Sequence, residues 1–385
     1  MDSSRIKTIL QRPPAALSAL LLLAIAGFFA VNRLVHKFQH HEQDLGRAMF
    51  RAGQQARVSG NPQLAIADFR AALGFDRDNY QYLLNLAKAL ADAGRTEEAE
   101  SYLATLWERA PQDGDVNLQL ARLNAGQAAT EDALRHYHSA IYGIWQNDPD
   151  QNRRKSRMEL VRYLLQHNDR TQAQSELIAM AAGLPPASDW HPQVADLFME
   201  AGDSQHALGE YRQALKLDAR NPRALAGAGR AAYQLGEYST AERYLRAASE
   251  QGSLDSASRE ILQTSDLILK GDPFRRRLPD SERRNRVQAA FLQAGERLQQ
   301  CAQSRGVNLT VPTTSPPPLQ ALYGQWLSWK PRVEPRQFRP GTDTMDTVMD
   351  LVAQIEQETE QECGPPTGMD LALLLIARNR DGGDR

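Results

Sequence analysis

Two cysteines in 385 residues are too few for a cysteine-based zinc site, and Cys301 and Cys363 lie too far apart for a CxxC redox pair. An excess of one charge is missing as well. Lysine and arginine number 45 against 47 aspartates and glutamates, a formal net charge of −2. Whole-chain charge therefore does not steer the protein toward nucleic acid or acidic substrates. Aromatic residues are only 7%, while alanine, leucine, glutamine and arginine abound, which suits a helical chain. No Walker A, HExxH or GxSxG motif appears. Gly227-Ala-Gly229-Arg-Ala-Ala232 fits GxGxxA, but it falls inside a predicted helix with no strand before it, which argues against a dinucleotide site. His36 and His40 are four apart and sit beside His41 and Glu42, yet they lack a third and fourth ligand on rigid elements. His136 and His138 flank Tyr137 and are expected at the surface. The expectation is a chain without cofactor or metal that is not an enzyme.

Long apolar runs are scarce. One stands out, residues 15–31 (AALSALLLLAIAGFFAV), with one serine and no charge. At 1.5 Å per residue it reaches roughly 25 Å, just enough for a hydrocarbon core. A membrane anchor is expected over 15–35, after a tail at 1–14. A cleaved signal peptide is the rival reading, but the triplet Ala24-Ile25-Ala26 lies inside the run and precedes Gly-Phe-Phe, a poor cleavage context. Arg5, Lys7 and Arg12 precede the run, and Arg33, Lys37 and Arg47 follow it. That small bias favours a cytoplasmic tail with the bulk outside the inner membrane. Two cysteines fit an oxidising compartment.

Against these absences stands a repeat. Ala65, Ala99 and Ala133 are 34 apart; Ala173 follows 40 later, then Ala207 and Ala241 at 34. Four residues after each alanine comes a large residue: Phe69, Leu103, Tyr137, Leu177, Tyr211 and Leu245. Seven after it comes an apolar one: Ala72, Leu106, Ala140, Met180, Ala214 and Ala248. These offsets lie on one helical face, and the small first residue admits a neighbouring helix. Gly60, Gly94, Gly202 and Gly236 sit five before the alanine, as turn residues ending a preceding helix. Each unit reads as helix–turn–helix, and stacking the units makes one core. Six extra residues around 142–153 lengthen a helix or loop.

Residues 46–255 thus resemble the tetratricopeptide repeat family, an all-α helical solenoid of about six helix pairs, and the arrangement with an N-terminal anchor is similar to that of bacterial envelope proteins. The resemblance implies that the first helix of each pair lines a concave groove for a protein or peptide. At the ninth position stand Gln54, Lys88, Arg122, Arg162, Asp196 and Arg230. Asn85, Lys88, Arg122, Arg162 and Arg230 are the candidate contacts for an acidic or C-terminal segment, since Arg and Lys suit carboxylates. The alternative is a solvated face paired locally with acids.

The C-terminal third departs from the repeat. Residues 256–310 read as a capping helix and an arginine-rich helix running to about Ser304, with six arginines between positions 275 and 286 facing anionic headgroups, an acidic partner or local acids. Residues 311–341 carry seven prolines with Tyr323, Trp326 and Trp329, and read as an extended belt anchored by tryptophans. Residues 342–385 read as two helices. Cys301 and Cys363 each end a predicted helix and are expected to pair. The whole reads as a membrane-tethered interaction scaffold in envelope assembly, secretion or quality control. The alternative places an enzymatic or carbohydrate-binding site in the C-terminal third, beside Trp326 and Trp329.

Overall fold

The 34-residue period is a period of helix pairs. The computed structural model describes residues 13–252, 254–311, 317–333 and 341–382, and every regular element among them is an α-helix. The chain forms two compact units, Met1–Tyr163 and Leu164–Arg385. The first holds α1 (Pro13–Val58), α2 (Pro62–Phe75), α3 (Tyr80–Asp92), α4 (Thr96–Arg109), α5 (Gly114–Gly126), α6 (Thr130–Tyr142) and most of α7 (Pro149–Gln166). The second holds α8 (Arg170–Ala182), α9 (His191–Glu200), α10 (Ser204–Leu217), α11 (Pro222–Gln234), α12 (Tyr238–Glu250) and α13 (Ser256–Gly271). It continues with α14 (Asp280–Ser304), α15 (Pro318–Val333), α16 (Thr342–Cys363) and α17 (Gly368–Gly382). The repeats at 46–255 are thus divided between the units.

Short polar side chains start these helices. Asn79 Oδ1 accepts from the backbone N–H of Gln81 and Tyr82, and Asp113 Oδ1 from those of Asp115 and Val116. Asn221 does the same for Ala224. Each satisfies donors that the first helical turn leaves open. Between the two helices of each pair the chain passes through one residue of positive φ. The six are Gly60 (73°), Gly94 (74°), Ala128 (58°), Asn168 (61°), Gly202 (81°) and Gly236 (74°). The turn is therefore left-handed even in the two copies without glycine, where an L side chain is disfavoured by about 1–2 kcal/mol. Ala128→Gly should raise stability by up to about 1 kcal/mol, read as a shifted urea midpoint at unchanged slope.

The alanine at the head of each second helix and its partners four and seven residues on are all core. Those eighteen side chains are each at most 5% exposed. Close approach replaces bulk where a large side chain faces the neighbouring helix. A Cβ on Gly229 would overlap Leu245, and one on Gly227 would overlap the Tyr211 ring. The GxGxxA match is thus a helix-packing surface. Gly227→Val should cost about 2–3 kcal/mol in chemical denaturation, by overpacking.

Among the described residues no helix is long and apolar enough to cross a membrane. Residues 1–12 of the expected tail, and the side chains of residues 13–17, of residue 19 and of His36 and His40, lie outside those described. Within α1, Leu20, Leu21, Leu22, Leu23, Phe28, Phe29 and Val31 are each more than 60% exposed.

In the C-terminal part, residues 318–333 are helical instead of extended. Their prolines cluster at the helix start and at Pro331 in its last turn, so positions 319–330 are free to close helical hydrogen bonds. Trp326 is 4% exposed, stacks on Phe291 at 5.3 Å, and donates Nε1–H to the Phe291 carbonyl at 2.9 Å. Its indole occupies the space that a side chain at Gly295 would take. The core joins Val287, Phe291 and Leu298 of α14 to Val348, Val352 and Ile355 of α16 and Leu373 of α17. Cys301 and Cys363 are bonded, with their Cα atoms 5.8 Å apart, and link the ends of α14 and α16. Three of the six arginines are held by backbone carbonyls. Arg275 and Arg286 donate to the Leu269 carbonyl, both at 2.9 Å, and Arg286 also to that of Asp272 at 3.0 Å. Arg283 donates to the Pro273 carbonyl at 3.1 Å. These guanidinium groups satisfy open carbonyls at the C-terminal end of α13 and its exit.

Candidate functional site

The expected partner-binding cations lie on the first helices of the pairs, and most have an acid beside them. Lys88 Nζ on α3 is 2.5 Å from Asp115 Oδ2 on α5, with the lysine side chain 14% exposed. Arg122 on α5 holds Glu159 on α7 with two hydrogen bonds, of 2.6 and 2.9 Å. In the second unit Arg230 on α11 reaches Asp255 Oδ2 at 3.5 Å and Ser258 Oγ at 3.3 Å, at the start of α13. Asn85 is 9% exposed and donates to the Gln81 carbonyl at 2.9 Å. Arg162 on α7 is exposed, with no ion-pair or hydrogen-bond partner among the described residues.

The fifth copy shows what the pairs do. Its ninth position is acidic, Asp196, and the partner sign reverses with it. Arg223 Nε, on the first helix of the next pair, donates to Asp196 Oδ2 at 2.7 Å. Asp196 also accepts from the Tyr211 hydroxyl. Burial and that hydrogen bond push the hydroxyl's pKa up. A sign that flips together with its partner marks an inter-repeat contact. The charge of Lys88, Arg122 and Arg230 is therefore already met within the protein. The more exposed of these pairs, at Arg122 and Arg230, contribute about 0.2–1 kcal/mol each.

Two features have little or no signal in the repeat pattern. The inserted residues after α6 form a strap across the start of α5. The Ile144 N–H donates to the Gln112 carbonyl at 2.7 Å, and the Gly114 N–H to the Ile144 carbonyl at 2.8 Å. Trp145 donates to the Ala140 carbonyl at 2.9 Å and lies where a Cβ on Gly114 would be. Gln81 on α3 donates to Gln146 at 3.1 Å. The strap so borders a polar hollow of about 80 Å³ beside Asp113 and Asp115. His136, expected at the surface, is 8% exposed, and its Nδ1 is 3.0 Å from Asn117 Oδ1. It lies three residues after Ala133, on the buried face, and burial lowers its pKa.

The second feature is a buried charge cluster. The Glu356 side chain on α16 has no exposed surface, and neither oxygen has a hydrogen bond among the described residues. Arg297 Nε on α14 is 3.2 Å from Glu356 Oε2, but it donates to Thr359 Oγ1 at 2.8 Å. Arg297 Nη2 donates to the Gly364 carbonyl at 3.1 Å, and Nη1 lies 3.8 Å from Asp370 Oδ2 on α17. Burial first, then the Asp370 charge, pushes the Glu356 carboxyl up to about 8, against the pull of Arg297. The acid faces α14 and α17 and offers nothing to a substrate in solvent. Among the described residues no group of three or more His, Cys, Asp or Glu is arranged to hold a metal ion.

No curated protein matches the chain. Among solved structures it is similar to PilW, described as a widely conserved type IV pilus biogenesis factor, at 15% identity over 57% of this chain and 97% of that one, with a TM-score of 0.40. It is similar to pilF of Pseudomonas aeruginosa at 16% identity over 56% and 90%, with a TM-score of 0.34. It is also similar to a tetratricopeptide repeat protein of Parabacteroides merdae at 12% identity over 87% and 100%, with a TM-score of 0.30. None of the three reaches a TM-score of 0.5, so what those proteins do does not transfer to this chain. The tetratricopeptide repeat family matches residues 58–123 and 198–263. With their paired helices, buried alanines and left-handed turns, these two stretches are tetratricopeptide repeats.

Proposed function

We propose that the protein is a membrane-tethered interaction scaffold that holds a protein or peptide partner against the first helices of its repeats. The family match carries the scaffold reading, because stacked helix pairs present a long side-chain face without a catalytic group of their own. The exposed apolar side chains of α1 support the tether, since an apolar surface of this kind is covered in a folded protein by lipid or by another chain. The bonded cysteines support an oxidising location for the second unit, with the tail at 1–14 in the cytoplasm.

The partner face centres on Arg162, whose guanidinium is free for a carboxylate. The experiment is affinity capture from solubilised membranes with the full chain, wild type beside Arg162→Glu. A protein enriched by the wild type and lost with the folded variant supports the groove, while identical captures overturn it. The tether is tested by washing membranes with alkaline carbonate. Leu22→Arg with Phe28→Arg should release the chain; retention equal to wild type refutes an anchor in α1. Of the two tryptophans on which the enzymatic or carbohydrate-binding alternative rests, Trp326 packs inside the core and Trp329 is partly buried against it.

A further inference from the structure

The outward side of α14 lies between two hollows. One, of about 400 Å³, is lined by Gln288, Phe291, Leu292, Lys330 and Val333. The other, of about 350 Å³, is lined by Lys270, Ala290, Gln293, Met369 and Leu373. Asn285 and Ala289 line both and form the ridge between them. A methyl group at 289 leaves that ridge low. Leu292 is 47% exposed on one side of it.

The charge around this trough has one sign to spare. Arg286 and Glu282 neutralise each other at 2.9 Å. Lys270 is exposed and has no carboxylate partner among the described residues. Lys330 is exposed as well, and its ammonium group sits over the Trp326 ring at 5.0 Å, again with no carboxylate partner among the described residues. Arg284 lies one helical turn before Gln288 and has no ion pair among the described residues. The two apolar hollows therefore carry one uncompensated cation each.

We propose that this trough docks an acidic amphipathic segment of a partner protein, separately from the repeat face. Two apolar side chains of the segment enter the hollows, and its carboxylates meet Lys270 and Lys330. Two hollows parted by a ridge suit two side chains on one backbone, whereas a single alkyl chain needs one unbroken channel. The Asn285 amide on the ridge offers a donor and an acceptor where the backbone of the segment crosses.

The test uses the full chain and a fluorescein-labelled twelve-residue peptide, rich in glutamate, with two leucines four residues apart. Fluorescence anisotropy follows binding to the wild type, to Ala289→Trp, which fills the ridge, and to Lys270→Glu with Lys330→Glu. Residues 270, 289 and 330 are exposed, so the variants should keep the wild-type melting temperature. Saturable binding is expected, at least tenfold weaker for both variants and weaker with added salt. A peptide with lysine in place of glutamate should bind at least tenfold more weakly. No saturable binding, equal affinity for all three proteins, or equal affinity for the lysine peptide would overturn the proposal. Two further results would do so: anionic phosphatidylglycerol vesicles that displace the peptide, pointing to a lipid surface, or loss of the binding on dilution of a self-associated protein, pointing to a second copy as the occupant.

Discussion

Replacing Arg297 with methionine should destabilise the second unit by about 2–4 kcal/mol, because it strips the Thr359 hydroxyl and the Gly364 carbonyl of their donor and leaves the Asp370 carboxylate without its cation. Methionine keeps the length of the stem, so the loss reports charge more than volume. Chemical denaturation followed by tryptophan fluorescence reads it, since Trp326 lies in the same core. A loss below about 1 kcal/mol would show that the cluster is solvated. The companion variant, Glu356→Gln, should act in the opposite direction. The Glu356 carboxyl is raised from 4.5 to about 8 in the folded protein. Between those values the folded state keeps a proton that the unfolded chain releases. Stability from this group is full below about pH 4.5 and is lost as pH rises toward 8. The glutamine variant should therefore gain on the wild type as pH rises from 5 to 8, by on the order of 1 kcal/mol per pH unit at most. A constant difference across that range would refute a neutral Glu356.

Cys301→Ser with Cys363→Ser should lower the stability of the second unit by roughly 4 kcal/mol. The bond closes a 62-residue separation that contains all of α15 and most of α16. Without it the unfolded chain regains the entropy of that loop, and α15 is held by packing and by hydrogen bonds such as that from Trp326 to the Phe291 carbonyl. Reductant should reproduce the loss in the wild type and leave the serine variant unchanged. The urea transition of the first unit should not move. Equal midpoints for the oxidised wild type and the serine variant would show that packing suffices without the bond.

What the repeat pattern determined was local and periodic. An alanine followed by apolar residues at four and seven specifies which face of a helix is buried, and each of those positions lies in the core. Caps such as Asn79 and Asp113, and the glycine turns, are also written in single residues. The left-handed turns at Ala128 and Asn168 were legible only from their place in the period, because neither is glycine. Burial of His136 was legible in the same way, three residues after Ala133, but its imidazole suggested the surface.

The candidate site was less legible, because a charge on a helix face has the same appearance whether it waits for a ligand or meets a neighbour. Lys88 with Asp115, and Asp196 with Arg223, are 27 residues apart, and the stacking of helix pairs sets their distance. A helix inside a proline-rich stretch depended on where the prolines fell and on the space at Gly295 for Trp326. Glu356 falls four residues after Val352, on the apolar stripe of its helix, but its neighbours Arg297 and Asp370 sit on separate helices and nothing in sequence joins the three. Periodicity thus determines which side of each helix is apolar. Only the packing of helices distant in the chain decides which polar groups meet and which are buried, because Coulomb and desolvation terms depend on distance and exposure rather than on residue type.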